Sequence, residues 1–248
     1  MANSVTNIYR RFFDPYVANL IENQKSLFNS RKTEVIGLEE KDLTIVFWDI
    51  TRFSDLFNLI KRQYEVTIFL EQYFGLADRL IHKHNGILNK FMGDGILAIF
   101  GYRKLKGADI LGASDALSCA FEFRNLFDEM KSSWIGLWHL HFGYRTVKLD
   151  LKCGIDSGKV LFGRLGTDKR DDITVLGTVV NFASRLECRA KSDEILVSKE
   201  TKSRVNNLYD FRVVQLSNNK RLKGFPHVKS YYEVLNQKSS ATSQLLNR

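Results

Sequence analysis

The elements legible in the sequence run β–α–α–β–β–α–β, followed by a peripheral strand-and-helix region. This order predicts an α+β fold with helices on one face of a sheet. Three features carry the expectation. Leu43–Trp48 (LTIVFW) is an apolar, β-rich run too short for a core helix. Residues 64–84 place Val66, Phe69, Leu70, Tyr73, Phe74, Ala77, Leu80 and Ile81 on one helical face. Between helix and next strands, Gly86–Phe100 (GILNKFMGDGILAIF) sets two apolar runs on either side of Gly93-Asp94-Gly95. That is a strong hairpin signal, because glycine takes positive φ without steric cost.

The elements follow in order. Asp14-Pro15 reads as an N-cap followed by proline at the first helical position, and Tyr16, Val17, Leu20, Ile21 and Leu27 recur at helical spacing, so a helix is expected over 15–30. Residues 1–40 are read as a helical lead-in segment, 41–236 as one main domain and 237–248 as a flexible tail. The first strand ends in Asp49-Ile50-Thr51-Arg52-Phe53-Ser54, and Asp49 either caps the next helix or serves a ligand at the strand end. His84-Asn85-Gly86 closes the 64–84 helix. Ala108–Met130 is a third helix, and Ser132–Tyr144 (SSWIGLWHLHFGY) is aromatic and irregular: a surface loop, a dimer contact or a lid. Val147–Ile155 alternates as a strand, Asp156-Ser157-Gly158 reads as a turn, and Val160–Phe162 as a second strand. Asp171–Leu176 is a short strand broken by Gly177, and Val180–Ala190 a helix. Strands follow at 195–197, 211–214 and 230–235.

Composition narrows the classes. At 248 residues, 44% hydrophobic and 26% charged, the chain is ordinary globular material for one large domain. A net charge of +9 favours a polyanionic partner, but the charges are scattered and form no basic stripe, which argues against nucleic acid. Cys119, Cys153 and Cys188 form no CxxC pair, which fits a reducing cytoplasm rather than a zinc or disulfide framework. No run approaches the roughly 20 apolar residues of a membrane span.

Asp49 after the first strand and Asp94 at the hairpin tip converge if that strand pairs with the hairpin. Alone, Asp94 is equally a turn residue. Two close carboxylates repel unless a cation lies between them, and Mg²⁺ suits hard oxygen ligands and brings phosphates with it. Asn181 and Arg185, four apart, share one helical face and offer an amide and a guanidinium.

The segments LTIVFWDITRFS, LNKFMGDGILAIFG, LKCGIDSGKVLFG and ITVLGTVVNFASRLE, in this order and spacing, resemble the class III nucleotide cyclase catalytic domain over about residues 43–235. The resemblance implies a ferredoxin-like cyclase core that converts a nucleoside triphosphate to a 3′,5′-cyclic nucleotide and pyrophosphate. It implies two Mg²⁺ or Mn²⁺ ions on Asp49, Asp94 and the Ile50 carbonyl. Asn181 would orient the ribose and Arg185 the α-phosphate; Phe53, Ser54 and Lys223 would bind phosphates; Lys90 and Thr174 would read the base edge. It further implies a head-to-tail homodimer with shared active sites. Lys90 with Thr174 resembles a bacterial adenylate cyclase subgroup. Arg52 stands where the family usually has glycine, and Gly177-Thr178 replaces its Gly-Asp. Arg52 and the stand-alone layout are similar to the pyrimidine cyclases of anti-phage signalling. The expectation therefore tilts to cyclic UMP or cyclic CMP, with cAMP as the alternative. A catalytically dead nucleotide sensor is the alternative of another class.

Overall fold

The structure, a computed structural model, describes residues 38–238 except 61, 103–110, 144–147, 168–169 and 218–220. The helix expected over 15–30, the lead-in segment to residue 37 and the tail from 239 lie outside the described residues.

Strand β1 (Leu38–Ile50) is the spine. It alternates two buried sets because a strand points successive side chains to opposite faces. Val46, Trp48 and Ile50 enter one core, and Leu43, Ile45 and Phe47 the other. Helix α1 (Phe53–Leu59) follows, then α2 (Gln63–Lys83), whose Val66, Phe69, Tyr73, Ala77, Leu80 and Ile81 are all buried. β2 (Ile87–Met92) and β3 (Gly95–Phe100) form the hairpin. Gly93 has φ 68° and Asp94 does not share its positive φ, the pattern of a turn with glycine at its first central position. α3 (Leu111–Phe142), β4 (Leu151–Thr167), β5 (Arg170–Leu176), α4 (Thr178–Glu187), β6 (Ile195–Val197), α5 (Lys199–Val205), β7 (Tyr209–Gln215) and β8 (Ser230–Gln237) complete the described elements. The leading order β1–α1–α2–β2–β3–α3–β4 is the expected β–α–α–β–β–α–β, and the fold is α+β. The eight-stranded sheet runs β2-β3-β1-β4-β6-β8-β7, with β5 paired to β4 off this path.

Three expectations are corrected. First, helices cover both faces of the sheet. α2 and α3 pack over the core containing Trp48 and Ile96, whereas Val179 and Ala183 of α4 close the opposite core with Ile45, Phe47 and Phe162. Second, Asp156-Ser157-Gly158 is no turn, and β4 runs through it. β1 pairs with β4 along all 13 of its residues, so the ladder overrides the local turn propensity. The Asp156 carboxylate accepts the Ser157 N–H at 2.8 Å, and the Ser157 hydroxyl lies 2.9 Å from both Thr44 Oγ1 and Thr201 Oγ1, which satisfies these polar groups inside the strand. Third, the aromatic stretch after Met130 continues α3 to Phe142. Trp134 and Trp138 are buried against Phe69 at ring separations of 6.0 and 5.5 Å, so tertiary packing sets the helix length.

α4 lies directly on β4 at Gly154. A Cβ there would fall 2.1 Å from the Glu187 backbone nitrogen and 2.3 Å from the Ala183 carbonyl oxygen. Backbone cannot yield as a side-chain tip can, so Gly154→Ala should lower stability by at least about 3 kcal/mol, read as the shift in the urea unfolding midpoint.

Candidate active site

Asp49 is the last but one residue of β1, and the hairpin tip bends over it. Trp48 pairs with Ile96, so Gly95 stands beside Asp49, and a Cβ on Gly95 would lie 3.8 Å from Asp49 Oδ1. The Ile50 N–H donates to Asp94 Oδ2 at 3.3 Å, which ties the tip to the end of β1. The two carboxylates thus converge as the strand pairing requires. Burial raises the Asp94 pKa to about 6, helped by the negative charge and hydrogen bond of Asp49. Beneath them Tyr73 is fully buried, and burial, then the Asp94 and Asp49 charges, hold its phenol protonated well above the ordinary range.

Sequence reasoning missed the cation already present. Lys152 faces Asp49 in the β1–β4 register, and its Nζ lies 2.7 Å from Asp49 Oδ2 and 2.8 Å from Glu187 Oε1. Burial works against this ammonium, but Asp49 and Glu187 together raise its pKa above the ordinary value. The signal in the sequence was only a polar position in an alternating strand; its pairing opposite Asp49 appears with the register. Among the described residues, no group of three or more His, Cys, Asp or Glu side chains comes together as a metal cage. The donor set is two carboxylates with the Ile50 carbonyl beside them, all hard oxygens. That set and the mutual repulsion of Asp49 and Asp94 fit a hard divalent cation whose remaining ligands come from phosphate and water.

Asn181 and Arg185 stand on α4, about 40° apart around the helix axis. The buried face of α4 is Val179, Phe182, Ala183, Leu186 and Glu187, while Asn181 is exposed and Arg185 half-buried. Both therefore point away from the sheet that carries Asp49. Among the described residues, no hydrogen bond or ion pair joins them to Asp49 or Asp94 within one chain. Lys90 and Thr174 come together through β2 and β5. Lys90 Nζ donates to Asp172 Oδ2 at 3.0 Å, and Asn89 donates to the Ile173 carbonyl at 2.9 Å, so β2 is tied to the two residues of β5 that lead into the buried Thr174. Arg52 adopts the left-handed conformation (φ 58°) just before α1, which explains why glycine is usual there. Its side chain is largely exposed and donates to Asp55 Oδ2 at 2.8 Å. Phe53 is buried edge-on against Phe57 and Ser54 is exposed at the start of α1. Lys223 is exposed on the turn closed by the Leu222–Phe225 bridge.

The strand end and hairpin tip of the sheet thus bring two carboxylates together, and a separate helix presents Asn181 and Arg185 outward. The profile of the adenylate and guanylate cyclase catalytic domain matches residues 38–236, and the chain belongs to this family. It is 31% identical over 197 residues to the terminal-differentiation-specific adenylate cyclase of Dictyostelium discoideum, covering 79% of this chain and 9% of that protein. It is 26% identical over 224 residues to an adenylate cyclase of Anabaena cylindrica, covering 90% of this chain and 42% of that protein. The chain thus spans less than half the length of either relative. The crystal structure of the adenylyl cyclase CyaB from P. aeruginosa superposes with a TM-score of 0.72 at 29% identity, covering 82% of this chain and 98% of that one. That of the guanylyl cyclase Cya2 does so with a TM-score of 0.66 at 27% identity, covering 82% and 96%. The family is that of the class III nucleotide cyclases. No helix of the described residues is long and apolar enough to cross a membrane.

The Asp94 carboxyl has a folded pKa of about 6, above the roughly 3.9 of an unfolded chain. Its contribution to stability is therefore fully present below about pH 4 and is lost as pH rises through about 6. In EDTA, thermal melts of the wild type should lose stability across that window. Asp94→Asn, which cannot ionise, should flatten this part of the profile and melt higher than wild type at pH 8.

Proposed function

We propose that the chain converts a nucleoside triphosphate to a 3′,5′-cyclic nucleotide and pyrophosphate, in a head-to-tail homodimer whose active sites take residues from both subunits. The observation that carries this reading is the convergence of Asp49 and Asp94, with the Lys152 ammonium beside Asp49 to offset their charge. Asp49, Asp94 and the Ile50 carbonyl would hold two Mg²⁺ or Mn²⁺ ions. Bound there, such ions supply Lewis-acid activation of the ribose 3′-oxygen and neutralise the phosphates.

The chain's own residues do the rest. Lys152 turns from Asp49 to a phosphate oxygen as the triphosphate arrives, and the backbone N–H groups at Phe53 and Ser54 face the same phosphates. Asn181 of the partner subunit orients the ribose so that the 3′-oxygen lines up with the α-phosphorus. Arg185 of the partner subunit donates to the α-phosphate as charge develops there, while the bond to the bridging oxygen breaks and pyrophosphate leaves. Their outward direction on α4, away from the carboxylates of their own chain, is the support for a shared site. Lys223 adds a mobile cation for the departing pyrophosphate.

For the base, Lys90 as donor and Thr174 as hydroxyl partner favour ATP, in line with the relatives named adenylate cyclase. A pyrimidine triphosphate, giving cyclic UMP or cyclic CMP, is the second reading. It rests on Arg52, whose pair with Asp55 is exposed and so contributes under about 1 kcal/mol, leaving the guanidinium free to swing to a ligand.

Incubation with each of the four triphosphates and Mn²⁺ should give cyclic product and pyrophosphate from ATP foremost; turnover of UTP or CTP ahead of ATP selects the second reading. A chain that releases no pyrophosphate from any of them is the dead sensor. Asp49→Ala and Arg185→Ala should each lose at least about 100-fold in kcat, and an equal mixture should recover to about a quarter of wild type through heterodimers with one intact site. Failure to recover at any protein concentration rules out the shared site.

A further inference from the structure

Glu187 is a buried carboxylate, 8% exposed, at the end of α4. Its Oε2 receives only the weak Cys188 thiol at 3.5 Å, and its Oε1 has no aligned hydrogen-bond donor. Lys152 Nζ approaches that oxygen to 2.8 Å as an ion pair. A buried carboxylate with one cation and an unfilled lone pair is costly unless that cation is held for another purpose. Lys152 has two seats, Asp49 at 2.7 Å and Glu187 at 2.8 Å, and the Glu187 backbone is fixed by its close packing on Gly154 of β4.

We propose that Glu187 is a positioning residue for Lys152: the fixed seat that holds the ammonium in the site when Asp49 is taken by a cation, and so aims it at the incoming phosphates. This rests on the cyclase reading, in which Asp49 becomes a metal ligand. Glu187 itself touches neither metal nor substrate. Without it, a cation at Asp49 strands Lys152 with no counter-charge; the ammonium then stays on Asp49 or leaves the phosphate subsite.

The test needs no turnover and no knowledge of the base. Binding of Mn²⁺ with inorganic tripolyphosphate to the full chain is followed by calorimetry and by the electron paramagnetic resonance signal of free Mn²⁺. Glu187→Gln should weaken binding about tenfold and Lys152→Ala by at least as much. The double variant should bind like Lys152→Ala alone, because Glu187 acts only through Lys152. Glu187→Asp, which keeps the charge and guards against misfolding of the amide variant, should retain most of the affinity. Fold-changes that multiply in the double variant, or a Glu187→Gln protein that binds as wild type, overturn the assignment. A wild type that binds no Mn²⁺-tripolyphosphate overturns the cyclase reading itself, and this assignment with it.

Discussion

The rest of the site depends on one unfavourable contact: two carboxylates, at a strand end and a hairpin tip, held within reach of one another. Repulsion between Asp49 and Asp94 is built in by backbone pairing, since the β1–β3 register and the Ile50 N–H to Asp94 bond hold the hairpin tip beside the end of β1. A fold that imposes such a contact must supply positive charge, and the molecule does so with Lys152 across the next strand. Raised proton affinity at Asp94, a protonated Tyr73 below and a doubly paired lysine beside are three responses to the same excess of negative charge.

Helix α4 turns that strand-level arrangement into a two-body problem. Its inner face is committed to the sheet, down to backbone contact at Gly154. Its outer face carries the amide and guanidinium that the carboxylates lack. On the proposed reading, a single chain holds two halves of a site that face different directions, and the geometry of the helix separates them.

Much of this was legible in the residues. The hairpin and the long amphipathic helix were readable because glycine and the 3.6-residue period are local signals, and Asp49 and Asp94 followed from strand ends. What failed was what only neighbours decide. Asp156-Ser157-Gly158 has turn composition but lies under 13 residues of β1, and the ladder prevails. The tryptophans after Met130 looked irregular until Phe69 and its neighbours were placed beneath them. Helices on one face was the wrong expectation because nothing in the spacing of Val179 and Ala183 says which side of the sheet they cover. Lys152 and Glu187 went unremarked since their meaning is a register and a crossing, neither of which a linear pattern contains. Arg52 is the intermediate case: its departure from glycine was visible, but its turn toward Asp55 was not.

The hairpin that bears Asp94 ends the sheet, with β2 as its outermost strand. An outermost strand frays more readily than a central one, so one of the two carboxylates rides on an edge ladder of the sheet. Any cation clasped between Asp49 and Asp94 joins that ladder to the central strand and stabilises the closed hairpin by mass action. On the proposed cyclase reading, the supply of cation and triphosphate would then set how often the border of the sheet opens, and with that the exposure of this segment to proteolysis.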